Sequence, residues 1–242
     1  MKCLIIAAGY ATRLYPLTEN FPKPLLEVGG RPILDHLMAD IDAHGGVEEY
    51  IVVTNHKFAP VFREWAAGRS DVRIVDDGTS SNETRLGAVR DMQLGIESCG
   101  VEGDLLVMAG DNLLSFSLGG FFSYARAREA SCIMRYFEAD EARLHKTGVI
   151  EVDGEDLVVS MEEKPAHPRS NWCCPPFYYI AAADVPKVAE AIQAGCGVDA
   201  PGSFIAWLCA RTRVYAWEMP GPRYDIGNLE SYEQVKQIWN KR

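Results

Sequence analysis

The sequence has 242 residues, of which 48% are hydrophobic and 24% are charged, and it carries a formal net charge of -10. This composition is that of an ordinary globular protein and excludes a disordered chain, and the acidic balance argues against a nucleic-acid-binding surface, which needs clustered Lys and Arg. A small phosphorylated ligand remains compatible, because binding it requires only local cations.

No targeting or membrane segment is predicted. An apolar run begins at Cys3 and leaves no room for a signal peptide. No apolar stretch approaches the roughly 18 residues of a membrane span, so we expect a cytoplasmic protein without a membrane partner. The seven cysteines are odd in number and contain no Cys-x-x-Cys pair, which predicts reduced and mostly buried thiols.

Short apolar runs alternate with amphipathic segments through the first half of the chain. The predicted elements are a strand over residues 3–8, a helix from 32 to about 44, a strand over 50–53, a helix over 60–67, a strand over 72–75, a polar loop over 76–84, a helix from 86 to about 98 and a strand over 105–109. This repeated βα order predicts a three-layer α/β fold with a mostly parallel sheet.

The second half is less regular and predicts a mixed extension of the same sheet. After a helix over residues 115–130, strands are expected at 131–137, 148–152, 158–161, 177–180 and 214–217, with helices near 185–194, 202–210 and 229–239. No linker-like or low-complexity stretch interrupts the chain. We therefore predict a single domain over residues 1–242.

The end of the first strand is the first candidate site. Residues 7–11 are Ala-Ala-Gly-Tyr-Ala, whose small side chains let another group approach the backbone, and whose consecutive N–H groups can form an anion-binding nest. Arg13 and Lys23 add positive charge. The stretch lacks the three glycines of the dinucleotide fingerprint and the Gly-Lys-Ser/Thr of the P-loop. The alternative is a tight turn with surface cations.

Two carboxylates are candidate metal ligands. Asp111 follows a buried strand and Gly110, and Asp225 lies in Tyr-Asp-Ile-Gly just before the last helix. Without His or Cys at metal-binding spacing, such a pair favours a hard cation such as Mg²⁺, which takes one or two carboxylates, waters and substrate phosphate oxygens. A turn or helix-cap role for Asp111 is the alternative. The sequence Asp111-Asn112-Leu113 disfavours glycosyltransferases that use Asp-x-Asp.

Four motifs in this order resemble those of the sugar-phosphate nucleotidyltransferases. They are the loop from Gly9 to Leu14 with the following Pro-Leu-Thr, the sequence Pro-Lys-Pro-Leu at 22–25, Glu-Lys-Pro at 163–165 and Asp-Ile-Gly at 225–227. The resemblance spans residues 1 to about 232. One departure is Ala11, which replaces the second glycine of the family's first loop.

This resemblance implies a Rossmann-like nucleotidyltransferase fold similar to that of type A glycosyltransferases, with residues 1–115 mainly binding nucleotide and 116–242 mainly binding an acceptor. It also implies transfer of a nucleoside monophosphate from a nucleoside triphosphate to a sugar 1-phosphate, releasing pyrophosphate. The implied residues are Ala8, Gly9, Ala11, Thr12, Arg13, Asn82 and Gly87 for the nucleotide, Gly148, Glu163 and Lys164 for the acceptor, Asp111 and Asp225 for Mg²⁺, and Arg13, Lys23 and Lys164 as catalytic cations.

Two alternatives stay open. Pro176 or Phe177 fills a place where sugar-specific members commonly carry a small residue, so the acceptor could be a non-sugar phosphate such as phosphocholine, which related cytidylyltransferases use. Trp172, Tyr178 and Tyr179 could then cage a quaternary ammonium through cation–π attraction, or simply pack in the core. The other alternative is a non-catalytic regulatory homologue. The sequence leaves open the base, the acceptor and whether the chain forms a homo-oligomer.

Overall fold

The computed structural model describes residues 1–240. The strands are β1 (Lys2–Ile6), β2 (Glu27–Val28), β3 (Arg31–Pro32), β4 (Glu49–Thr54), β5 (Val72–Asp76), β6 (Leu105–Ala109), β7 (Asn112–Leu114), β8 (Ser131–Phe137), β9 (Gly148–Val152), β10 (Val158–Glu163), β11 (Trp172–Cys174), β12 (Phe177–Ile180), β13 (Val214–Glu218) and β14 (Arg223–Asp225). The helices are α1 (Ile33–His44), α2 (Ala59–Trp65), α3 (Ala88–Cys99), α4 (Gly119–Arg128), α5 (Glu141–Leu144), α6 (Lys187–Gln193), α7 (Gly202–Cys209) and α8 (Leu229–Trp239).

A ten-stranded sheet runs through both halves of the chain. Its strand order is β10-β9-β11-β8-β12-β6-β1-β4-β5, and β13 pairs with β8 outside this path. β1 is parallel to both β4 and β6, whereas β12 is antiparallel to β6 and β8. The chain adds β4 on one side of β1 and β6 on the other. In open α/β sheets such a reversal of strand order marks where ligands bind, outside the carboxyl ends of the strands.

Helices cover both faces of this sheet. α3, α6 and α7 pack on the face that carries Leu4 and Ile51, and α1, α2 and α4 pack on the face that carries Cys3 and Ile5. Successive side chains of β1 point to opposite faces, so both faces are buried and the strand is a continuous apolar run. The predicted three-layer α/β fold with a mostly parallel sheet is confirmed.

The segment between β6 and β8 departs from the prediction. The sequence predicts a helix over 115–130, but α4 covers only Gly119–Arg128, and strand β7 precedes it. The backbone N–H of Leu118 donates to the Asp40 carboxylate at 2.7 Å, so a residue of α1 fixes where α4 begins. Strands β7 and β14 pair with each other across more than 100 residues, a contact that no local signal predicts.

The cysteines are unpaired, as the sequence predicts. All seven lie in the described part of the chain, five of them buried. Burial raises the pKa of Cys132 to about 12 and that of Cys173 to about 11, so these thiols are protonated at neutral pH. None of the helices within residues 1–240 is both long enough and apolar enough to cross a bilayer.

Asp91, in the first turn of α3, is expected to lower stability at neutral pH. It is 4% exposed, its Oδ1 has no hydrogen-bond partner within residues 1–240, and burial, with a smaller contribution from Asp77, raises its pKa to about 7. The unfolded chain loses this proton near pH 4, whereas the folded chain keeps it to about pH 7, so stability falls as the pH rises through this window. Asp91→Asn should remove a cost on the order of 4 kcal/mol at pH 8.

Urea unfolding at pH 4, 6 and 8 checks this expectation. The difference in unfolding free energy between Asp91→Asn and the unsubstituted chain should grow from pH 4 to about pH 7 and then level off. Asp71→Asn, at an exposed position, is the matched control for the same chemical change. A difference for Asp91→Asn that is independent of pH would contradict the assignment.

Candidate active site

An open cleft of about 1230 Å³ lies at the carboxyl ends of β1 and β6. Gly9, Arg13 and Lys23 line it from the loop that follows β1, and Asp111 lines it from the end of β6. Gly110 allows the two sides to meet, because a Cβ atom there would lie 3.2 Å from the ring of Pro24. The first loop and the end of β6 therefore form one mouth, as the sequence predicts for parallel strands.

The first loop has a left-handed backbone at Ala11. Its φ is 48° and its ψ is 40°, and it precedes a 3₁₀ turn over Thr12–Leu14. The carbonyl oxygen of Ala11 accepts hydrogen bonds from the Leu14 N–H at 2.9 Å and from the Thr18 hydroxyl at 2.8 Å. These bonds hold a conformation that glycine adopts readily and alanine does not. This chain therefore carries alanine at position 11, but its backbone there keeps the conformation that glycine would favour.

Ala11→Gly is expected to stabilise the protein by about 0.5 to 1 kcal/mol. A left-handed conformation costs an L-residue roughly 1 to 2 kcal/mol, and the added freedom of glycine in the unfolded chain offsets part of that gain. Chemical denaturation measures the change. Ala66→Gly is the control, because Ala66 has φ of -78° and the same substitution should destabilise there. A loss of stability on Ala11→Gly would contradict the argument.

Lys23 and Asp111 form an ion pair at the mouth of the cleft. The Lys23 Nζ donates to Asp111 Oδ2 at 2.7 Å, and Asn112 Nδ2 donates to Asp111 Oδ1 at 2.7 Å. Lys23 is only 7% exposed. Burial pushes the pKa of Asp111 upward, but the charge and hydrogen bond of Lys23, together with the charge of Arg223, outweigh it and hold that pKa below its usual value. Asp111 is therefore ionised at neutral pH.

Asp225 reaches the same mouth from the small sheet of β7 and β14. These strands are antiparallel, with Asp225 opposite Asn112, and the Ile226 N–H lies 3.4 Å from the Asp111 carbonyl oxygen. Arg223 donates to the side-chain oxygen of Asn112, and its Nη1 is 4.0 Å from Asp225 Oδ2. Of the two carboxylates predicted as metal ligands, Asp111 thus lies directly before β7 and Asp225 at the end of its partner strand β14, and both line the cleft.

A separate small core cluster fixes these side chains. Leu14, Leu113 and Ile226 are buried in it together with Tyr232 and Val235 of α8. Leu14 follows Arg13, Leu113 follows Asn112, and Ile226 follows Asp225 in sequence. Arg13, Asn112 and Asp225 are therefore each anchored by an apolar neighbour in one cluster, so that the first loop, β7, β14 and α8 pack as a unit.

The opposite wall of the cleft contains the predicted acceptor residues. Glu163 ends β10 and pairs with Gly148 of β9, and the Lys164 N–H donates to the Thr147 carbonyl oxygen at 3.0 Å. Burial raises the pKa of Glu163, and the charge of Lys164 partly opposes this. Arg13 and Lys164, on the two walls, have no ion-pair partner within residues 1–240, so both charges are available to a bound anion.

The aromatic cage for a quaternary ammonium, which the sequence left open as an alternative to core packing, is not formed. Tyr178 lines the cleft, but its neighbour Tyr179 points to the other face of the sheet and donates to Asp104 Oδ2 at 2.5 Å. Trp172 stacks with the guanidinium of Arg135 at 4.8 Å. These aromatic residues cannot surround one cation, because adjacent residues of a strand face opposite sides.

The sequence left open which residue forms the wall beside Tyr178. Pro176 lines the cleft, whereas Phe177 is fully buried in the core. The carbonyl oxygen of Pro176 also accepts a hydrogen bond from the Ala109 N–H at 3.1 Å, which ties this wall to the end of β6.

Four predicted nucleotide-binding residues are not in the wall of the cleft. Ala8 is buried and its carbonyl oxygen accepts from Asn55 Nδ2 at 2.9 Å, Thr12 and Asn82 are exposed in 3₁₀ turns, and Gly87 packs against the backbone of Val198. Their implied contacts with nucleotide stay predictions.

Several cleft residues carry no signal in the sequence. Arg143 in α5 and the nearby Lys146 line the cleft, and so do Asn228, the N-cap of α8, and Ser231 and Gln234 within α8. Arg223 and Asn228 lay within reach of sequence reasoning, because they stand two residues before and three residues after Asp225. Within residues 1–240, no three His, Cys, Asp or Glu side chains are grouped to hold a metal ion.

Comparison with known proteins gives concordant matches. The family model "Nucleotidyl transferase" matches residues 2–242. The UTP–glucose-1-phosphate uridylyltransferase of Haloferax volcanii is 28% identical over 98% of this chain and 96% of its own length. The glucose-1-phosphate thymidylyltransferase of Mycolicibacterium smegmatis is 30% identical over 74% of this chain, which spans 60% of that relative.

Solved structures show the same fold. A putative glucose-1-phosphate thymidylyltransferase from Bacillus anthracis, in complex with sucrose, superimposes with a TM-score of 0.84 at 18% identity, covering 100% of this chain and 96% of that one. A UDP-glucose pyrophosphorylase complexed with UDP-glucose gives a TM-score of 0.80 at 20% identity, covering 99% and 98%. The predicted Rossmann-like nucleotidyltransferase fold is confirmed.

Proposed function

The chain belongs to the nucleotidyl transferase family, and we propose that it transfers a nucleoside monophosphate from a nucleoside triphosphate to a sugar 1-phosphate and releases pyrophosphate. The observation that carries this proposal is the arrangement of charge around the cleft. The buried Lys23–Asp111 pair lies at its mouth, and Arg13 and Lys164 project from its two walls without ion-pair partners in the described residues. Such a cleft suits two phosphorylated substrates.

The acceptor is proposed to be a hexose 1-phosphate. The uridylyl-, thymidylyl- and adenylyltransferases among the relatives have names that share glucose 1-phosphate and differ in the base. In this chain the carboxylate of Glu163 lies in the cleft beside Gly148, where it can accept hydrogen bonds from sugar hydroxyl groups. The base is left to experiment.

The reaction needs no side-chain nucleophile. An oxygen of the acceptor phosphate attacks the α-phosphorus of the triphosphate, one P–O bond forms, and the bond between the α-phosphorus and the bridging oxygen breaks with pyrophosphate as the leaving group. A phosphate monoester is already nucleophilic near neutral pH. The barrier comes mainly from bringing two polyanions together in line, so positioning and neutralisation of charge supply most of the catalysis.

The three cations would bind different phosphate groups, according to where each lies in the cleft. Arg13, on the exposed first loop, would bind the phosphates that leave as pyrophosphate. Lys23, buried beside Asp111, would contact the α-phosphate or the attacking phosphate, and Lys164 on the opposite wall would hold the acceptor phosphate. A Lys ammonium is a compact point charge that suits a phosphoryl oxygen, whereas the Arg fork suits bidentate contact.

Asp111 and Asp225 would hold Mg²⁺. The donor set fits this ion, because both groups are hard carboxylates that line the cleft, Asp111 directly before β7 and Asp225 at the end of the paired strand β14, and Asp111 is kept ionised by Lys23. When bound, Mg²⁺ would supply further positive charge to the phosphate oxygens. Substrate oxygens and water would complete its coordination, as is usual for this ion.

A panel of nucleoside triphosphates against phosphorylated acceptors, with Mg²⁺ present, tests the proposal by measuring release of pyrophosphate. We expect release only when triphosphate, acceptor and Mg²⁺ are all present, with a hexose 1-phosphate as the best acceptor. Phosphocholine forms a separate arm of the panel. Nucleotide binding without release for any acceptor would favour the non-catalytic alternative, and release with phosphocholine alone would identify a cytidylyltransferase of the non-sugar type.

A further inference from the structure

The carboxylate of Glu163 is held by the shape of its surroundings. Its Oε2 would lie 3.0 Å from a Cβ atom at Gly148 and 2.0 Å from one at Gly202. No side chain or backbone donor of residues 1–240 makes a hydrogen bond to this carboxylate, and burial raises its pKa. Two residues without side chains therefore create the space in which the carboxylate stands.

The backbone of Gly202 is fixed on both sides. Gly202 is the first residue of α7, whose Phe204, Ile205 and Leu208 are fully buried in the core. The segment of residues 198–201, which we call the strap, precedes Gly202. Gly202 has little freedom to move away from Glu163, because three core residues anchor α7 on one side of it. On the other side, the strap is hydrogen-bonded to another helix.

The strap is bonded to the start of α3. The Val89 N–H donates to the Val198 carbonyl oxygen at 3.0 Å, and the Ala88 N–H lies 3.3 Å from the Asp199 carbonyl oxygen. Arg85 Nε donates to Asp199 Oδ1 at 2.9 Å. At Gly87, φ is +93° and a Cβ atom would lie 2.5 Å from the Val198 oxygen, so the two segments are in direct backbone contact.

We infer that Gly202 is a positioning residue that keeps the Glu163 carboxylate directed into the acceptor side of the cleft. This inference rests on the proposed function, in which Glu163 accepts hydrogen bonds from the sugar. The absence of a Cβ atom at Gly202 sets the place of the carboxylate, and the strap and α7 keep that place constant. Gly202 thus affects acceptor binding through Glu163.

Gly202→Ala separates this role from a role in folding. The new methyl group would stand 2.0 Å from Oε2, which is the far end of a flexible side chain, so the carboxylate moves and the helix stays in place. Alanine is also a better helix former than glycine. The variant should therefore fold with undiminished stability while its acceptor site is altered.

The experiment is a double-mutant cycle of Gly202→Ala and Glu163→Ala, with glucose 1-phosphate as the acceptor and the best triphosphate from the panel. In the otherwise unsubstituted chain, Gly202→Ala should raise the acceptor KM about 10- to 100-fold, the loss expected for hydrogen bonds to a charged group. The kcat value should change less than about threefold, because these contacts are made equally in ground and transition states. In the Glu163→Ala background the same substitution should change KM less than about twofold.

Ser203→Ala, at the next position of α7, is the matched control and should leave the acceptor KM unchanged. An equal rise in KM in the Glu163→Ala background would show that the methyl group blocks the acceptor directly, and would overturn the positioning role. An unchanged KM in Gly202→Ala would overturn it as well. If the unsubstituted chain turns over no acceptor, the proposed function itself fails, an outcome distinct from both.

Discussion

Asp111→Asn is expected to lower kcat by at least about 10³-fold, because it removes one unit of negative charge where a cation and two phosphorylated substrates would meet. Asparagine has nearly the shape of aspartate but cannot balance the charge of Lys23, whose ammonium lies 2.7 Å from the carboxylate. Lys23 is almost fully buried, so loss of its partner also leaves an uncompensated charge at the end of β6. Steady-state release of pyrophosphate measures the effect, and circular dichroism checks that the fold is retained.

Asp35→Asn is the matched control, because Asp35 pairs with Arg69 at 3.0 Å and does not line the cleft. Asp225→Asn separates metal binding from the neutralisation of Lys23. It would remove a metal ligand and leave the Lys23–Asp111 pair intact. We expect it to abolish turnover and to weaken Mn²⁺ binding, measured by electron paramagnetic resonance with nucleotide present. Unchanged turnover in Asp111→Asn or Asp225→Asn would refute the metal assignment for that residue.

The mouth of the cleft could be predicted because its residues follow local rules. An apolar run closed by glycine predicts a buried parallel strand, and the carboxyl ends of such strands meet at one edge of the sheet. This is why Arg13, Lys23 and Asp111 could be placed together before their contacts were known. The contact of Lys23 with Asp111, 88 residues away in the chain, follows from the fold and from no motif taken alone.

Other parts of the cleft were less accessible to sequence reasoning. The strands β7, β11 and β14 span three residues each, too short for a periodic pattern, and they form only because distant partners complete them. Arg143 lies in the four-residue helix α5, and Lys146 lies in the irregular chain that follows it. Strand register decides which of Tyr178 and Tyr179 faces the cleft and which faces the other side of the sheet. A continuous apolar run does not specify this register.

Glycines were the hardest residues to interpret from sequence. Gly9 was selected by its motif, yet a Cβ atom there would meet nothing within 4 Å, whereas Gly202 has no motif and stands where a Cβ atom would meet Glu163. Ala11 shows the converse, since a residue that breaks the motif keeps the left-handed backbone that the glycine would favour. Whether a position requires glycine depends on the atoms that surround it, and only the assembled fold defines those atoms.

Arg13→Ala is expected to lower kcat/KM by about 10²- to 10⁴-fold, because a guanidinium directed at transferring phosphates stabilises charge that develops as pyrophosphate leaves. Arg13 is exposed on the first loop and has no ion-pair partner in the described residues, so its charge is not already balanced by the protein. Its neighbour Leu14 is 1% exposed in the small core cluster with Ile226, which keeps the loop in place when the Arg13 side chain is removed.

Arg13→Ala should therefore lower kcat/KM and leave the free energy of unfolding unchanged. Measuring both quantities decides whether Arg13 acts in catalysis or in folding. Arg31→Ala, at another exposed position outside the wall of the cleft, is the control for removing an arginine. Arg13→Lys should recover part of the rate, because an ammonium restores the charge without the bidentate fork. A rate near that of the unsubstituted enzyme for Arg13→Ala would remove Arg13 from the catalytic residues and leave Lys23 and Lys164 as the cations that bind the phosphates.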